Sequence, residues 1–214
     1  MSTVYDQLKQ AVHVPAQVQR IVSLVPSQTE LLYDLGLDKE VVGITKFCIH
    51  PADWRKRKTI IGGTKQFDFE AIHQLKPDLI IGNKEENYYE GIQTLMRDYP
   101  VWMSDIFNLE DAFTMIEQVG LITHRVERAG QLVNQIQQQF TDIKTFRGQR
   151  VLYMIWRKPW MAAGQHTFIN HMLSIIGLRN CVAADRYPEL SASALTQLAP
   201  DFVFLSSEPY PFKE

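Results

Sequence analysis

The chain has 214 residues, 45% of them hydrophobic and 21% charged, with a formal net charge of −2. This composition is typical of ordinary globular proteins, and the charge gives no electrostatic reason to expect a nucleic-acid partner. The basic cluster at 55–58 is short and is interpreted as a solvated turn. No stretch approaches the roughly 18 apolar residues of a membrane span.

Residues 1–19 are predicted to be a polar lead-in. They contain no apolar stretch of signal-peptide length. We therefore expect either a cytoplasmic protein or one whose export signal has been replaced. The two cysteines, Cys48 and Cys181, have no metal-type spacing, and no disulfide is expected between them.

Residues 20–107 are predicted to form an α/β lobe in which apolar strands alternate with amphipathic helices. Ser27 and Glu30 have the spacing of a capping box, which predicts a helix that starts there and stops at Gly36. The predicted strands are 21–25, 41–45, 79–81 and a short one from 100, and the other predicted helices are 69–76 and 90–98.

The segment 108–147 is predicted to be a bridging backbone helix. From Leu109 to about Phe146 there is no proline, and apolar residues recur at helical spacing. The pattern fits one long helix or two nearly collinear ones. A helix of about 35 residues would be about 50 Å long, which suits a rigid connection between two lobes.

Residues 148–214 are predicted to form a second α/β lobe. The first lobe continues with a helix and a strand beyond the point where the second lobe stops. We therefore expect the second lobe to lack its last elements. Its predicted strands are 151–156, 180–184 and 202–206, and its predicted helices are 168–176 and 192–198.

One segment occurs twice in the chain. EAIHQLKPDLII (70–81) matches SALTQLAPDFVF (193–204) at an offset of 123, with a short helix, a Pro-Asp stop and an apolar strand in each copy. A second pair, LLYDLGLDKEV (31–41) and MLSIIGLRNCV (172–182), agrees at an offset of 141. The repeat predicts two similar lobes with a ligand cleft between them.

The loops after the predicted strands contain the candidate ligand contacts. In parallel α/β sheets, ligands bind beyond the carboxyl ends of the strands. Three of the four tryptophans lie in these loops. As a set the loop residues predict a wide aromatic cleft for a large flat ligand, although each one could instead pack a lobe edge. They are Phe47, Cys48, His50, Trp54, Asn83, Lys84, Glu85, Asn87, Trp156, Arg157, Trp160, Tyr187, Ser206, Ser207 and Glu208.

Two other classes of function stay open at this point. His50 and Glu208, with a second carboxylate, would make the chain a direct Zn or Mn receptor. Cys48 and His50 would make it a Cys–His enzyme. The sequence contains no phosphate-binding Gly-rich loop, no GxSxG and no HExxH, so we expect no catalysis.

The chain resembles the periplasmic substrate-binding proteins of ABC importers that have a helical backbone, the group that handles vitamin B12, haem and iron–siderophores. The resemblance covers about residues 20–208. It implies two Rossmann-like lobes with central parallel sheets, joined by one long rigid helix, with a ligand cleft between the lobes and no intrinsic cofactor. It is carried by RIVSLVPSQTELLYDLGL (20–37), VVGITKFCIHP (41–51), FEAIHQLKPDLIIGN (69–83), the long helix, NHMLSIIGLRN and LSASALTQLAPDFVF.

Within this family the chain is most similar to the cobalamin-binding subgroup, in which aromatic residues of both lobes surround the corrin. Asn83 stands where that subgroup has a tryptophan, so cobalamin, haem and a ferric siderophore are all retained as ligands. Arg157 suits a carboxylate or phosphate on the ligand. The residues expected to bind the ligand are Phe47, His50, Trp54, Asn83, Trp156, Arg157, Trp160 and Tyr187.

The resemblance also implies a membrane partner. Members of the family dock on an ABC permease through one glutamate on each lobe. Glu70 matches the first, whereas Ser193 occupies the second position by the internal repeat, with Glu189 nearby as a substitute. We therefore expect a monomeric protein of the periplasm or cell envelope that delivers a small molecule to a permease.

Overall fold

The structure, a computed structural model, describes residues 2–207, 210 and 212. The chain forms two compact units: the first contains residues 1–105 and 113–135, and the second contains 106–112 and 136–214. The predicted bridging segment is therefore divided between the two units. Within the described residues, no helix has the length and apolar character needed to cross a membrane.

The predicted polar lead-in contains a β-hairpin. Strands β1 (Ser2–Tyr5) and β2 (Ala11–Val14) pair antiparallel. In the turn, Asp6 accepts hydrogen bonds from the N–H groups of Leu8 and Gln10, at 2.9 and 2.8 Å. Burial raises the pKa of the Asp6 carboxyl above its ordinary value. Each strand has only four residues, too few for the alternation of exposed and buried positions to stand out in the sequence.

The first unit is built on a parallel sheet. In chain order it contains β3 (Ile21–Ser23), α1 (Pro26–Asp34), β4 (Val41–Ile44), α2 (Trp54–Arg57), β5 (Thr59–Ile60), β6 (Gly62–Gly63), β7 (Gln66–Phe67), α3 (Phe69–Leu75), β8 (Leu79–Asn83), α4 (Tyr89–Leu95) and β9 (Val101–Ser104). The sheet has the order β5-β4-β3-β8-β9, and every pairing in it is parallel. The predicted parallel sheet of the first lobe is confirmed.

Helix α1 begins earlier than the predicted capping box. Val25 is its N-cap residue, Pro26 occupies the first helical turn, and no side chain caps it. The capping-box prediction is wrong because a proline, whose φ is already helical, starts the helix. The Thr29 hydroxyl lies within hydrogen-bond distance of the Val25 carbonyl (3.0 Å) and of the Ser23 hydroxyl (2.8 Å).

The predicted long helix is two helices, α5 (Leu109–Ile122) and α6 (Val126–Thr141). Between them His124 has a left-handed φ of 56°, and the Arg125 N–H donates to the Gly120 carbonyl at 2.6 Å. A Cβ built on Gly120 would overlap the Cβ of Ala129, so these two residues lie side by side. In a straight helix, two residues nine positions apart are separated by about 13 Å along the axis. The prediction of one long helix, or of two nearly collinear ones, is therefore wrong, because the apolar periodicity continues across a turn that brings Gly120 next to Ala129.

The second unit has a mixed sheet. In chain order it contains β10 (Arg150–Trp156), β11 (Trp160–Ala162), α7 (Phe168–Ile175), β12 (Arg179–Asn180), β13 (Glu189–Leu190), α8 (Ala192–Leu198) and β14 (Phe202–Leu205). Strand β10 pairs parallel with β12 and β14, as predicted. It also pairs antiparallel with β11, which pairs antiparallel with β13. The predicted loop at 158–166 thus contributes a strand, and the sheet is not purely parallel.

In the first unit the repeated Pro-Asp segment ties helix α3 to strand β3. The Asp78 carboxylate accepts hydrogen bonds from the N–H groups of Gln19 and Arg20, both at 2.9 Å. The Arg20 side chain in turn donates to the Leu75 carbonyl at 2.7 Å. Lys76, with a φ of 46°, ends the helix in the left-handed region.

The second copy of the segment has the same arrangement. The Asp201 carboxylate accepts a hydrogen bond from the Arg150 N–H at 2.7 Å, and the Arg150 guanidinium donates to the Leu198 carbonyl at 2.7 Å. Ala199 is left-handed, with a φ of 41°. The duplication read from the sequence therefore extends to individual hydrogen bonds.

Candidate functional site

In the first unit the loop after β4 presents an aromatic ring beside a cation. Phe47 is 52% exposed, and Lys46 Nζ lies 5.2 Å from its ring centroid. Gly63 lies close to the ring, since a Cβ built there would be 3.2 Å from Phe47 Cε2. Ile49 and His50 are exposed in the same loop. Because β4 belongs to a parallel sheet, this loop extends from the edge where ligands bind.

Trp54, predicted to contact the ligand, is fully buried. Its ring meets Tyr33 edge-on at 5.5 Å, and Lys58 Nζ lies 5.0 Å from its centroid. Trp54 begins α2, whose next three residues are basic and exposed, so the helix directs its one large apolar side chain inward. Its burial corrects the prediction and removes Trp54 from the candidate site.

Asn83 organises the loop after β8. Its Nδ2 donates to the Ser104 hydroxyl at 2.9 Å, and its Oδ1 accepts from the N–H groups of Glu85 (2.9 Å) and Glu86 (3.1 Å). This is the local hydrogen bonding by which asparagine stabilises turns. A contact between Asn83 and a ligand stays a prediction.

Two buried amides near Asn83 support the same sheet edge. Asn87 Oδ1 accepts from the Asn83 N–H at 2.8 Å, and its Nδ2 donates to the Thr64 carbonyl at 3.1 Å. Gln28 Nε2 donates to the Gly82 carbonyl (2.9 Å) and the Ser104 hydroxyl (2.6 Å). Gln28 was not predicted as a site residue, and the available signal was an amide beside an apolar helix face, which is typical of a buried polar contact.

In the second unit the β10–β11 turn presents two tryptophans and an arginine. Trp156 is 37% exposed and meets Tyr210 edge-on at 5.3 Å. The Arg157 guanidinium carbon lies 5.2 Å from the Trp160 centroid. Trp160 lies on β11 rather than in a loop, and it is partly buried against a core cluster that includes Leu152. The predicted residues Trp156, Arg157 and Trp160 therefore lie at one end of the β10–β11 hairpin, on its two strands and the turn between them.

Tyr187 lies beside Arg186, a cation that was not predicted as a site residue. The Arg186 guanidinium carbon is 5.6 Å from the Tyr187 centroid and 5.3 Å from that of Phe107. Its Nη1 donates to the His166 carbonyl at 2.9 Å. Arg186 thus makes cation–π contacts with two rings of its own unit. An arginine directly before an aromatic residue was the available signal.

Among the residues that the structure describes, those of the two alternative functions do not form a site. The Cys48 sulfur is buried, 3.1 Å from the Thr29 hydroxyl and 3.2 Å from that of Thr45, whereas His50 is exposed. In the part of the chain that the structure describes, no three His, Cys, Asp or Glu residues are placed to hold a metal. Glu208, which the metal alternative requires, lies outside the described residues.

The two docking positions that the repeat makes equivalent, Glu70 and Ser193, each lie in the first turn of a helix. Asp68 caps α3 by accepting from the Ala71 N–H at 2.9 Å, and Ser191 caps α8 by accepting from the Ala194 N–H at 3.1 Å. Glu70 is exposed in the first turn of α3. The first turn of α8 has no acidic residue, and Glu189 is exposed on β13.

Most of the chain is similar to known periplasmic and substrate-binding proteins, both in sequence and in structure. A family model described as periplasmic binding protein matches residues 21–212. An uncharacterized ABC transporter substrate-binding lipoprotein of Bacillus subtilis (strain 168) is 28% identical over 216 residues, which cover 94% of this chain and 68% of the relative. A vitamin B12-binding protein of Pectobacterium carotovorum subsp. carotovorum (strain PC1) is 23% identical over 200 residues, covering 89% and 72%. A solved structure titled as a possible iron-binding (periplasmic solute-binding) protein from Staphylococcus epidermidis ATCC 12228 matches with a TM-score of 0.78 at 25% identity, covering 90% of this chain and 78% of that one.

Proposed function

Since the chain belongs to the periplasmic binding protein family, we propose that it is the solute-binding component of an ABC importer. It binds a cobalamin or a ferric complex, such as haem or a siderophore, and delivers it to a membrane permease. The observation that carries the proposal is the family match over residues 21–212. Relatives described as vitamin B12-binding and as iron-binding support this class of ligand.

The side chains proposed to contact the ligand pair aromatic rings with cations. In the first unit the proposed contacts are the Phe47 ring and the neighbouring Lys46 ammonium group. Aromatic rings stack on flat conjugated ligands, and cations pair with carboxylate or phosphate groups such as those of haem or cobalamin. In the second unit the proposed contacts are Trp156, Trp160 and Tyr187, with Arg157 and Arg186 as the cations.

We propose binding without catalysis. A cysteine nucleophile must be reached by its substrate and activated by a neighbouring base. The Cys48 sulfur is buried between two threonine hydroxyls. His50 is proposed as a polar contact of the ligand instead.

Glu70 is the proposed docking residue on the first unit, facing a basic residue of the permease, and Glu189 takes the corresponding role on the second. The proposal places the protein in the periplasm or cell envelope, as the relatives' descriptions suggest. A charge-reversed Glu70→Lys protein would then bind ligand normally but fail to support uptake in cells that depend on it. Normal uptake would contradict the docking role.

The class of ligand is tested by titrating tryptophan fluorescence with cyanocobalamin, haemin and ferrichrome, after correction for ligand absorbance. Saturable quenching by one of the three is expected, because Trp156 and Trp160 lie among the proposed contacts. Failure of all three to quench would overturn the proposed ligand class.

Variants then locate the contacts by calorimetric titration with whichever probe binds. Phe47→Ala and Trp156→Ala are each expected to weaken binding about tenfold or more, as for a typical aromatic anchor. The matched control is Leu121→Ala, which removes a 59% exposed side chain on α5 and should leave affinity unchanged. Equal effects of all three substitutions would contradict the proposed contacts.

A further inference from the structure

A groove with a volume of about 250 Å³ lies between α3 and α4 of the first unit. It contains Glu70, the proposed docking residue, and it is separate from the loops proposed to contact the solute. The side chains that surround Glu70 determine what this carboxylate can pair with. The lining includes Phe69, Glu70 and His73 of α3, and Leu95, Asp98 and Tyr99 at the end of α4 and just beyond it.

The groove has an apolar and aromatic lining. Leu95 is buried, whereas Phe69 is 39% exposed. His73 Nδ1 lies 3.0 Å from the Tyr99 hydroxyl, a hydrogen bond that restrains the Tyr99 ring. Aromatic rings attract cations to their faces, and a planar guanidinium also stacks on them. This lining therefore accommodates a cationic side chain with an apolar stem.

Two carboxylates give the groove a negative charge. Glu70 accepts a hydrogen bond from Gln74 Nε2 at 3.0 Å through Oε1. Asp98 is exposed, and among the described residues none donates a hydrogen bond to its carboxylate. Burial and the nearby Asp98 carboxylate raise the pKa of Tyr99, so its phenol stays neutral near pH 7. The described residues that line the groove include no lysine or arginine, so the groove is complementary to an external cation.

The internal repeat shows that the fold does not require these side chains. At the offset of the repeat, three residues of α3 that line the groove have smaller counterparts in α8, which are Ala192 for Phe69, Ser193 for Glu70 and Thr196 for His73. Helix α8 forms nevertheless, capped by Ser191 as α3 is capped by Asp68. The ring, the carboxylate and the imidazole of α3 are thus not needed to build the helix–strand segment, which points to a role in recognition.

We propose that the groove binds an arginine side chain of the permease, with Asp98 as a second carboxylate beside Glu70. The proposal rests on the docking role proposed for Glu70 and adds the residues that select arginine over lysine. A guanidinium has five N–H groups in a planar fork, so it can donate to two carboxylates while its face lies against the rings of Phe69 and Tyr99. A lysine ammonium is a compact point charge without such a face.

The first part of the test measures cellular uptake of whichever of cyanocobalamin, haemin and ferrichrome quenches the tryptophan fluorescence. Asp98→Asn removes a charge at constant size, and Phe69→Ala introduces the residue that α8 has at this position. Each is expected to lower uptake about threefold or more, as for the loss of an exposed ion pair or cation–π contact. Glu90→Gln, which removes an exposed acid of α4 outside the groove, is the matched control and should leave uptake unchanged.

A comparison with Glu70→Gln separates this proposal from the docking role on which it rests. Lowered uptake with Glu70→Gln but normal uptake with Asp98→Asn would overturn the arginine groove and leave the docking role intact. Normal uptake with both would overturn both. Solute affinity, measured by fluorescence titration, should be the same in all variants, and a weakened affinity of Asp98→Asn would also overturn the proposal.

The second part tests the preference for arginine. The probes are the peptides acetyl-Gly-Arg-Gly-amide and acetyl-Gly-Lys-Gly-amide at up to about 50 mM, since single exposed contacts bind weakly. The amide NMR signals of Glu70, Asp98 and Tyr99 are expected to shift at least about twofold more with the arginine peptide. Asp98→Asn should abolish this difference. Equal shifts with the two peptides, or a preference that survives Asp98→Asn, would overturn the proposal.

Discussion

The two copies of the repeated helix–strand segment have the same local structure and a different environment. In both, a left-handed residue ends the helix, and an aspartate accepts a hydrogen bond from the N–H of an arginine, Arg20 directly before β3 or Arg150 at the start of β10. Yet β8 is buried along almost its whole length, whereas β14 is largely exposed. Local sequence is thus enough to form the segment, and burial depends on the neighbours that each unit supplies.

The largest expected difference between the two copies is in how much a strand side chain contributes to the free energy of unfolding. Ile80→Ala is expected to cost about 2–5 kcal/mol, because it leaves a cavity in a packed core. Val203→Ala, the matched change at the equivalent exposed position, should cost no more than about 0.5 kcal/mol. Urea unfolding followed by circular dichroism measures both, and equal losses would show that the two strands do not differ in burial as described.

The shared aspartate provides a smaller test of what the copies have in common. Asp78→Ala removes two hydrogen bonds and should cost about 1–3 kcal/mol, whereas Asp201→Ala removes one and should cost about 0.5–1.5 kcal/mol. The corresponding asparagine variants keep an acceptor oxygen and should lose less. Thermal or urea unfolding of the four proteins checks the order, and a costless Asp78→Ala would contradict the structural role of the repeat.

The smallest effect is expected in the loop after β4, at a position where the second unit has no comparable insertion. The Arg57 guanidinium donates to the carboxylates of Asp38 (2.9 Å) and Asp53 (2.5 Å) and lowers the pKa of both below the ordinary 3.8. A carboxyl group whose pKa is lowered by folding stabilises the folded state at pH values above the pKa that it has in the unfolded chain. This stabilisation is lost as the pH falls through the lowered pKa of the folded state. All three side chains are about half exposed, so the contribution is small.

Arg57→Gln should therefore be slightly less stable than the parent near pH 7, and the difference should shrink as the pH falls below about 4. Urea unfolding at several pH values between 3 and 7 measures it. Lys56→Gln, which removes a neighbouring exposed charge, is the control. A difference that grows on acidification would reverse the sign of the argument.

Sequence reasoning succeeded where one element contains its own signal. The strands around Ile21, Val41 and Leu79, the helices predicted at 69–76 and 192–198, and the parallel first sheet all follow from apolar periodicity and the repeated Pro-Asp stop. It failed where a single residue changes the direction of the chain. Nothing in the apolar spacing of 109–146 marks His124 as the break between α5 and α6, because the helical spacing of apolar residues continues through the turn.

The positions of the candidate site residues, though not their role, were predicted in part for the same reason. Phe47 and Trp156 are exposed in or beside turns at strand ends, where the sequence placed them. Trp54 lies only seven residues beyond Phe47, but the short helix α2 turns its ring inward. Trp160 lies on a strand because β11 folds back on β10, and Asn83 acts through partners at Glu85 and Ser104.

The sequence by itself determined the order of most helices and of the longer parallel strands, the internal repeat and the resemblance to a family, because these depend on residue spacing within one segment. Only the tertiary structure decided the break between α5 and α6, the burial of Trp54 and the contrast between β8 and β14. Each of those depends on which distant segment packs against the residue, such as β9 beside β8, and a strand's own residues do not specify that neighbour.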